Sequence, residues 1–262
     1  TAADGAYGDL GFEYDANANR TALIDDGQRD DYRINFSNNW LLETEAADYR
    51  YDNAGNTLEK GADTFSYDTH HRLTEATVDG TTSTYAYNVQ HQRVSKSVGG
   101  TTTRFFYGQG GELLSEMVVG SGLTAAEYVW LDGRPLAYIT NGQVYQVHTD
   151  HLGTPQVLTD ASGAAAWEAE YRPFGEAGTT GTLSFPLRFP GQYHDAETGL
   201  HYNWHRYYDP STGRYLTSDP IGLEGGLNPY GYALSNPTAY TDPTGQYVPL
   251  LVGAYAALEV AL

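Results

Sequence analysis

The residues best placed to do chemistry are aspartates set in a recurring turn. Three copies stand in the C-terminal third: Asp209-Pro210-Ser211-Thr212-Gly213, Asp219-Pro220-Ile221-Gly222-Leu223 and Asp242-Pro243-Thr244-Gly245. Asp at position i, Pro at i+1 and Gly at i+3 suit a type I turn, because proline presets φ and the aspartate caps its own backbone. Taken alone, all three read as turns. Two such carboxylates brought together would do more, since one could take a proton from water while the other, kept protonated, holds a carbonyl. A second cluster, His148, Asp150 and His151, has a composition that suits zinc. On a strand, however, His148 and Asp150 share one face, adjacent His151 points away, and no further ligand stands nearby, so neither a metal site nor a cofactor is read here. The triplets Asn19-Arg20-Thr21 and Asn35-Phe36-Ser37 match glycosylation acceptors and enter no functional reading.

Composition narrows the framework that must position these groups. The 262 residues include no cysteine, which excludes disulfide frameworks, thiolate metal sites and cysteine nucleophiles. With 14 basic against 33 acidic residues the formal charge is −19 at pH 7. That charge excludes a nucleic-acid surface built on counterion release and repels anionic lipid. Thirty glycines, 11 prolines and 23 tyrosines beside a single methionine favour strands and turns over helices. The opening Thr1-Ala2-Ala3-Asp4-Gly5 has neither a basic start nor an apolar run, so no signal peptide is read, and the sequence is expected to be a piece of a longer chain.

One short pattern recurs: an aromatic, any residue, a second aromatic, then Asp, Asn or Gly and a polar turn. It occurs at Phe12-Glu13-Tyr14-Asp15, Tyr49-Arg50-Tyr51-Asp52, Phe65-Ser66-Tyr67-Asp68, Tyr85-Ala86-Tyr87-Asn88, Phe105-Phe106-Tyr107-Gly108 and Tyr128-Val129-Trp130-Leu131-Asp132, with a degenerate copy at Ile34-Asn35-Phe36. The spacing is about 20 residues, the length of two short strands and two turns. Rings at i and i+2 share one strand face, so they form a ladder. A lone hairpin is marginal in water, and the units must stack edge to edge to bury that face together.

These repeats are followed by Tyr145-Gln146-Val147-His148-Thr149-Asp150-His151-Leu152-Gly153-Thr154-Pro155 and by Gly213-Arg214-Tyr215-Leu216-Thr217-Ser218-Asp219-Pro220-Ile221-Gly222-Leu223. The ordered set, from about residue 12 to 245, resembles an RHS (YD-repeat) protein with its RHS-repeat-associated core domain, as found in bacterial polymorphic toxins. The resemblance implies an all-β fold: an arc of YD-repeat hairpins forming part of a hollow β-shell, plugged by an inward-spiralling core domain. A complete shell takes a much longer chain, so only the C-terminal arc, with open edges, is expected. The implied division is a repeat sheet over 1–140, the core domain over 141–223, and a C-terminal fragment over 224–262 in which the variable toxin region begins at 246.

The resemblance also implies self-cleavage just after the Leu of Asp-Pro-x-Gly-Leu, which here is the Leu223–Glu224 bond. The family's apparatus is an Arg, the Asp of that motif and the Asp of a downstream Asp-Pro-x-Gly, at offsets of 13 and 23. Arg206, Asp219 and Asp242 stand at both offsets. In this reading Pro220, Gly222, Gly225 and Gly226 support the loop, the glycines by allowing close backbone approach or positive φ.

The implied function is a toxin capsule that cuts its own chain once by aspartyl-protease-like hydrolysis, without a cofactor. The freed toxin fragment is expected to stay bound, because Tyr230, Tyr232, Tyr240 and the apolar stretch 247–262 would otherwise be exposed. That stretch is shorter than the roughly 20 residues needed to span a bilayer. Secretion-apparatus proteins and a cognate immunity protein are expected partners through regions outside this sequence. The protein would pass from the producer's cytoplasm into target cells through a bacterial secretion system, including the type VI route. Two other readings stay open: a non-catalytic scaffold or homodimerisation module paired through its open strand edges, and sugar binding by the tyrosine ladder.

Overall fold

Each Asp or Asn that follows a pair of repeat aromatics folds its own turn. Asp52 Oδ1 accepts from the N–H groups of Ala54 and Asn56 at 2.8 and 2.9 Å. Asp15, Asp68, Asn88, Asp150 and Asp160 do the same with residues two and four positions on. The fourth residue of such a loop is left-handed, for instance Gly55 at φ +85° and His71 at +61°. The opposite hairpin ends close through two-residue turns with both φ values positive, such as Asp79-Gly80 and Asp132-Gly133. That geometry matches the strand twist and favours Asp-Gly.

The computed structural model describes residues 2–5, 7–121 and 124–248. Fourteen strands run in chain order from Tyr49–Tyr51 to Ala177–Gly181, each antiparallel to the next. A four-stranded sheet (Ala2–Gly5, Gly8–Tyr14, Arg20–Asp25, Gln28–Asp31) and a hairpin (Arg33–Asn35 with Trp40–Glu43) precede them. The expected all-β arc of hairpins is therefore observed. The sheet runs unbroken through 140–141 to Gly181, because Arg134–Thr140 pairs directly with Gln143–Thr149.

The aromatic pairs lie on one face. The first rings, Tyr49, Phe65, Tyr85, Phe105 and Tyr128, are buried, while Arg50, Ser66, Ala86, Phe106 and Val129 between the pairs are exposed. In four of the pairs the half-buried second ring is hydrogen-bonded across the sheet. Tyr67, Tyr87 and Tyr107 donate to the carbonyls of Thr57, Leu73 and Arg93 at 2.8, 2.6 and 2.8 Å. Trp130 Nε1 donates to Leu113 at 2.7 Å. The ladder thus ties each repeat to the return strand of the one before. The degenerate copy departs from it: Ile34 is buried, but Phe36 lies past the strand end and is 68% exposed. Trp40, stacked on Tyr51 at 4.8 Å, is the ring that packs there.

From about residue 182 the chain turns onto the aromatic face and forms a small sheet of Tyr193–His194, His201–Asn203, Arg206–Asp209 and Arg214–Tyr215. Buried polar links hold it. Arg93, on the shell, pairs with Asp195, both side chains being fully buried. Lys96 reaches the other Asp195 oxygen at 2.8 Å. Rings of Tyr85, Phe105, Tyr193, Tyr202 and Tyr207 face the Arg93 guanidinium at 4.5 to 5.9 Å. Lys60 meets Asp209 at 2.8 Å, and Tyr230 donates to the Gly55 carbonyl at 2.9 Å.

The same segment draws the ends of the arc together. Phe174, past the strand Ala165–Tyr171, packs against Phe12 at 5.1 Å and beneath the Arg20 guanidinium at 4.1 Å. Arg172 pairs with Asp25, and Tyr208 donates to the Phe174 carbonyl at 2.7 Å. Side chains, not strand pairing, make this junction, so Ala177–Gly181 remains an open edge among the described residues.

Removing one partner of a buried ion pair strands the other, at a cost of about 3–5 kcal/mol. Asp195→Asn is therefore expected to lower the free energy of unfolding by an amount of that order, read as a lower denaturant midpoint at unchanged slope. Burial alone would raise the Asp195 carboxyl, yet Arg93 and Lys96 hold it below the ordinary carboxylate range. Its contribution is thus present above the unfolded-state value and is lost as pH falls through the depressed one. Stability measured from pH 6 downward should fall more steeply for the wild type than for Asp195→Asn.

Candidate active site

Arg206 begins a strand of the small sheet, and Asp219 and Asp242 head the two downstream Asp-Pro turns. Each aspartate caps its own turn with one carboxylate oxygen. Asp219 Oδ1 accepts from Ile221 N–H, and Asp242 Oδ1 from Gln246 N–H, both at 3.0 Å. The other oxygens converge on one nitrogen: Arg206 Nη2 lies 2.8 Å from Asp219 Oδ2 and 3.3 Å from Asp242 Oδ2. All three side chains are at most 3% exposed. The structure therefore brings together three groups that lie 13 and 23 residues apart in sequence.

The arginine is held on every side. Nε donates to the Gly245 carbonyl, Nη1 to the Pro229 carbonyl at 2.9 Å, and the guanidinium lies 3.6 Å over the Tyr215 ring. Tyr215 in turn donates to Asp242 Oδ2 at 2.8 Å, and Asn203 Nδ2 donates both to the tyrosine oxygen and to the Asp242 carbonyl at 2.8 Å. Sequence reading assigned no role to Tyr215 or Asn203. The signal for Tyr215 is its place four residues before Asp219, inside the same motif; nothing local marks Asn203.

Burial pushes the Asp219 carboxyl above its ordinary value, against the pull of Arg206 and the Ile221 amide. The first Asp-Pro turn shows the contrasting outcome. Asp209 caps Ser211 in the same manner, but its second oxygen meets a lysine from the shell, and it is held low.

Residues Gly222–Gly225 form a single 3₁₀ turn after Asp219-Pro220, carrying Leu223 and Glu224. Gly222 N–H closes the turn onto the Asp219 carbonyl at 2.9 Å, and Gly226 N–H donates to the Leu223 carbonyl at 3.2 Å. Both uses expected of the glycines occur. Gly226 has φ +130°, and Gly225 lies so close to the aspartate that a Cβ there would stand 2.3 Å from Asp219 Oδ2. A cavity of about 270 Å³, bordered by Arg206, Asp242, Gly225, Gly226 and Gln246, opens beside the pair.

The histidine cluster is dispersed. His148 bonds Thr159 Oγ1, His151 faces the Thr238 carbonyl, and Asp150 caps its own turn. Of the apolar stretch 247–262, only Tyr247 and Val248 are among the described residues.

Comparison with known proteins completes the description. The model of the Teneurin YD-shell family matches residues 4–233. Toxin protein Tse5 of Pseudomonas aeruginosa is 46% identical over 137 residues, covering 51% of this chain and 10% of that protein. Double-stranded DNA deaminase toxin A of Burkholderia cenocepacia is 47% identical over 120 residues, covering 44% of this chain and 8% of that protein. The tRNA3(Ser)-specific nuclease WapA of Bacillus spizizenii is 30% identical across 95% of this chain and 11% of its own length. Among solved structures, a Photorhabdus luminescens Tc holotoxin pore carrying a TccC3 mutation superposes with a TM-score of 0.75 at 21% identity, over 92% of this chain and 13% of the other. The TcdB2-TccC3 crystal structure gives 0.72 at 22% identity, over 90% and 14%. These last two are likenesses of fold. The chain spans about a tenth of the length of the toxins it matches.

The raised Asp219 carboxyl has a consequence for stability. A carboxyl whose folded value lies above its unfolded one stabilises the fold most at low pH, and that contribution is lost as pH rises through the folded value. At pH 7 the charged form therefore works against folding, and Asp219→Asn should melt no lower than the wild type in calorimetry, even though it removes an ion-pair partner of Arg206.

Proposed function

The chain belongs to the Teneurin YD-shell family, the RHS/YD-repeat proteins, and from that premise we propose that it is the C-terminal arc of a toxin capsule that cuts its own Leu223–Glu224 bond. The carrying observation is one buried arginine nitrogen held by two buried aspartates beside the turn that contains this bond. In this reading one proton is shared between the two carboxylates, since like charges held so close disfavour double ionisation. One takes a proton from a water that adds to the Leu223 carbonyl carbon, and the other gives its proton to the carbonyl oxygen. Collapse breaks the C–N bond, a proton passes to the Glu224 nitrogen, and the products are a Leu223 carboxylate and a Glu224 amine.

Water reaches the pair through the adjoining cavity. Gly226 N–H, already on the Leu223 carbonyl, and Arg206 favour the developing negative charge. An acceleration of roughly 10⁶-fold needs about 8 kcal/mol. Holding bond and carboxylates in one fold supplies much of this, since positioning is worth roughly 7–11 kcal/mol.

After the cut, the fragment that begins at Glu224 stays bound. Tyr230 and Tyr232 are buried, Tyr230 is bonded to Gly55, and Arg206 holds the Pro229 and Gly245 carbonyls. The toxin that follows would be delivered with the capsule through a bacterial secretion system, the type VI route being the one expected from the resemblance. A cognate immunity protein and secretion-apparatus proteins would engage regions beyond this sequence.

Intact-mass analysis of purified protein should show residues 1–223 and 224–262, with Glu224 as the new N-terminus, the two pieces co-eluting until denatured. Asp219→Asn and Asp242→Asn should each leave one uncut chain. Gly225→Ala, which forces a methyl group onto Asp219, should slow cleavage at least tenfold with the β-sheet circular dichroism retained. An uncut wild type would leave the inert scaffold as the correct reading.

A further inference from the structure

The hydrogen bonds behind Asp242 determine which carboxyl holds the shared proton. The Asp242 carbonyl only accepts, so the Asn203 amide must turn Nδ2 toward it, as it does at 2.8 Å. The second hydrogen of that nitrogen meets the Tyr215 oxygen, also at 2.8 Å. Tyr215 is thereby made an acceptor toward Asn203, and its own hydrogen points to Asp242 Oδ2 at 2.8 Å. Among the described residues no other acceptor is bonded to that hydroxyl.

Asp242 thus accepts from three donors: Tyr215 and Arg206 on Oδ2, and Gln246 N–H on Oδ1. A proton on Oδ2 would have to turn the tyrosine hydrogen away and break the chain back to Asn203. Asp219 has two donors, Ile221 N–H and Arg206. Asn203 and Tyr215 are 0% and 2% exposed, so water does not replace what they supply.

We propose that Tyr215, oriented by Asn203, is a positioning residue that keeps Asp242 the ionised member of the pair and leaves the shared proton on Asp219. The proposal rests on the self-cleavage reading for its use, and it assigns the roles within it. Asp242 takes the water proton while Asp219 gives its own to the Leu223 carbonyl oxygen. When the C–N bond breaks, Asp242 returns its proton to the Glu224 nitrogen and Asp219 recovers one from the tetrahedral hydroxyl, so both finish as they began. The burial that raises Asp219 acts in the same direction.

Carboxyl carbon-13 NMR of purified protein, with the two aspartates assigned by Asp→Asn variants, tests the assignment whether the chain is cut or whole. As pH falls, Asp219 should protonate before Asp242. Tyr215→Phe should bring the two titrations together or reverse them. In freshly translated chains chased at a series of pH values, the same variant should move the acid limb of the cleavage profile upward by on the order of one pH unit. Asn203→Leu, which keeps the hydroxyl but frees its orientation, should shift both readouts in the same direction by less, and it serves if Tyr215→Phe does not fold. Asp242 protonating first in the wild type, or both variants leaving order and profile unchanged, would overturn the proposal. A wild type that never cuts yet shows the expected order would overturn the self-cleavage reading alone.

Discussion

A guanidinium taken wholly out of water must find its partners inside the fold, and the molecule is organised around one such demand. Arg93 stands on the inner face of the shell with no exposed side-chain surface, and among the described residues its one carboxylate comes from Asp195, about a hundred residues later. Neither charge is tolerable without the other. The pair therefore sets the register between two parts of the molecule that hydrophobic contact alone would let slide. The tyrosine rings around Arg93 act on the same problem: they exclude water while offering π faces to nitrogens that lack a hydrogen-bond partner. Lys60 with Asp209, and Arg214 with the side chain of Asn19 and the carbonyl of Asn39, repeat the device at other points of the arc.

Fixing the inward segment in this way is what gives the candidate site its precision. The small sheet that carries Arg206 also carries Asn203 and Tyr215, and the two aspartates lie in turns of the segment that follows it. That segment has no strand and only two short 3₁₀ turns among the described residues, and it is held in place by Asn203 on the Asp242 carbonyl and by Arg206 on the Pro229 and Gly245 carbonyls. Once Asp195 and Asp209 are seated against the shell, the strands between and beyond them hold Arg206 against both carboxylates.

The shell was legible in the sequence because its logic is local. An aromatic pair at i and i+2 followed by Asp or Asn specifies a strand face and a turn within a few residues, and both appear as read. The second ring's hydrogen bond to the preceding repeat explains the frequency of tyrosine at that position, a role that Phe36 cannot fill. Offsets between Arg206, Asp219 and Asp242 were legible through resemblance alone, since no periodicity links a strand residue to two later turns. Tyr215 and Asn203 were not legible, because their significance lies in which atoms face Asp242, and that depends on the packing of three segments. Arg93 was missed for the same reason. It sits where a repeat predicts only a strand start, and nothing near it in sequence announces Asp195.

The three Asp-Pro turns show how little separates an anchor from the site proposed to be reactive. All cap themselves with one oxygen and present the other. Asp209 presents it to a lysine of its own, and the result is a quiet ion pair. Asp219 and Asp242 have a single arginine nitrogen between them, so one positive charge must serve two negative ones in a largely buried site. The Asp219 carboxyl is raised by its burial, against the pull of that arginine. The same shortage makes the pair a poor structural element, which is why the surrounding buried contacts, from Arg93 to Tyr230, must supply the stability that it withholds.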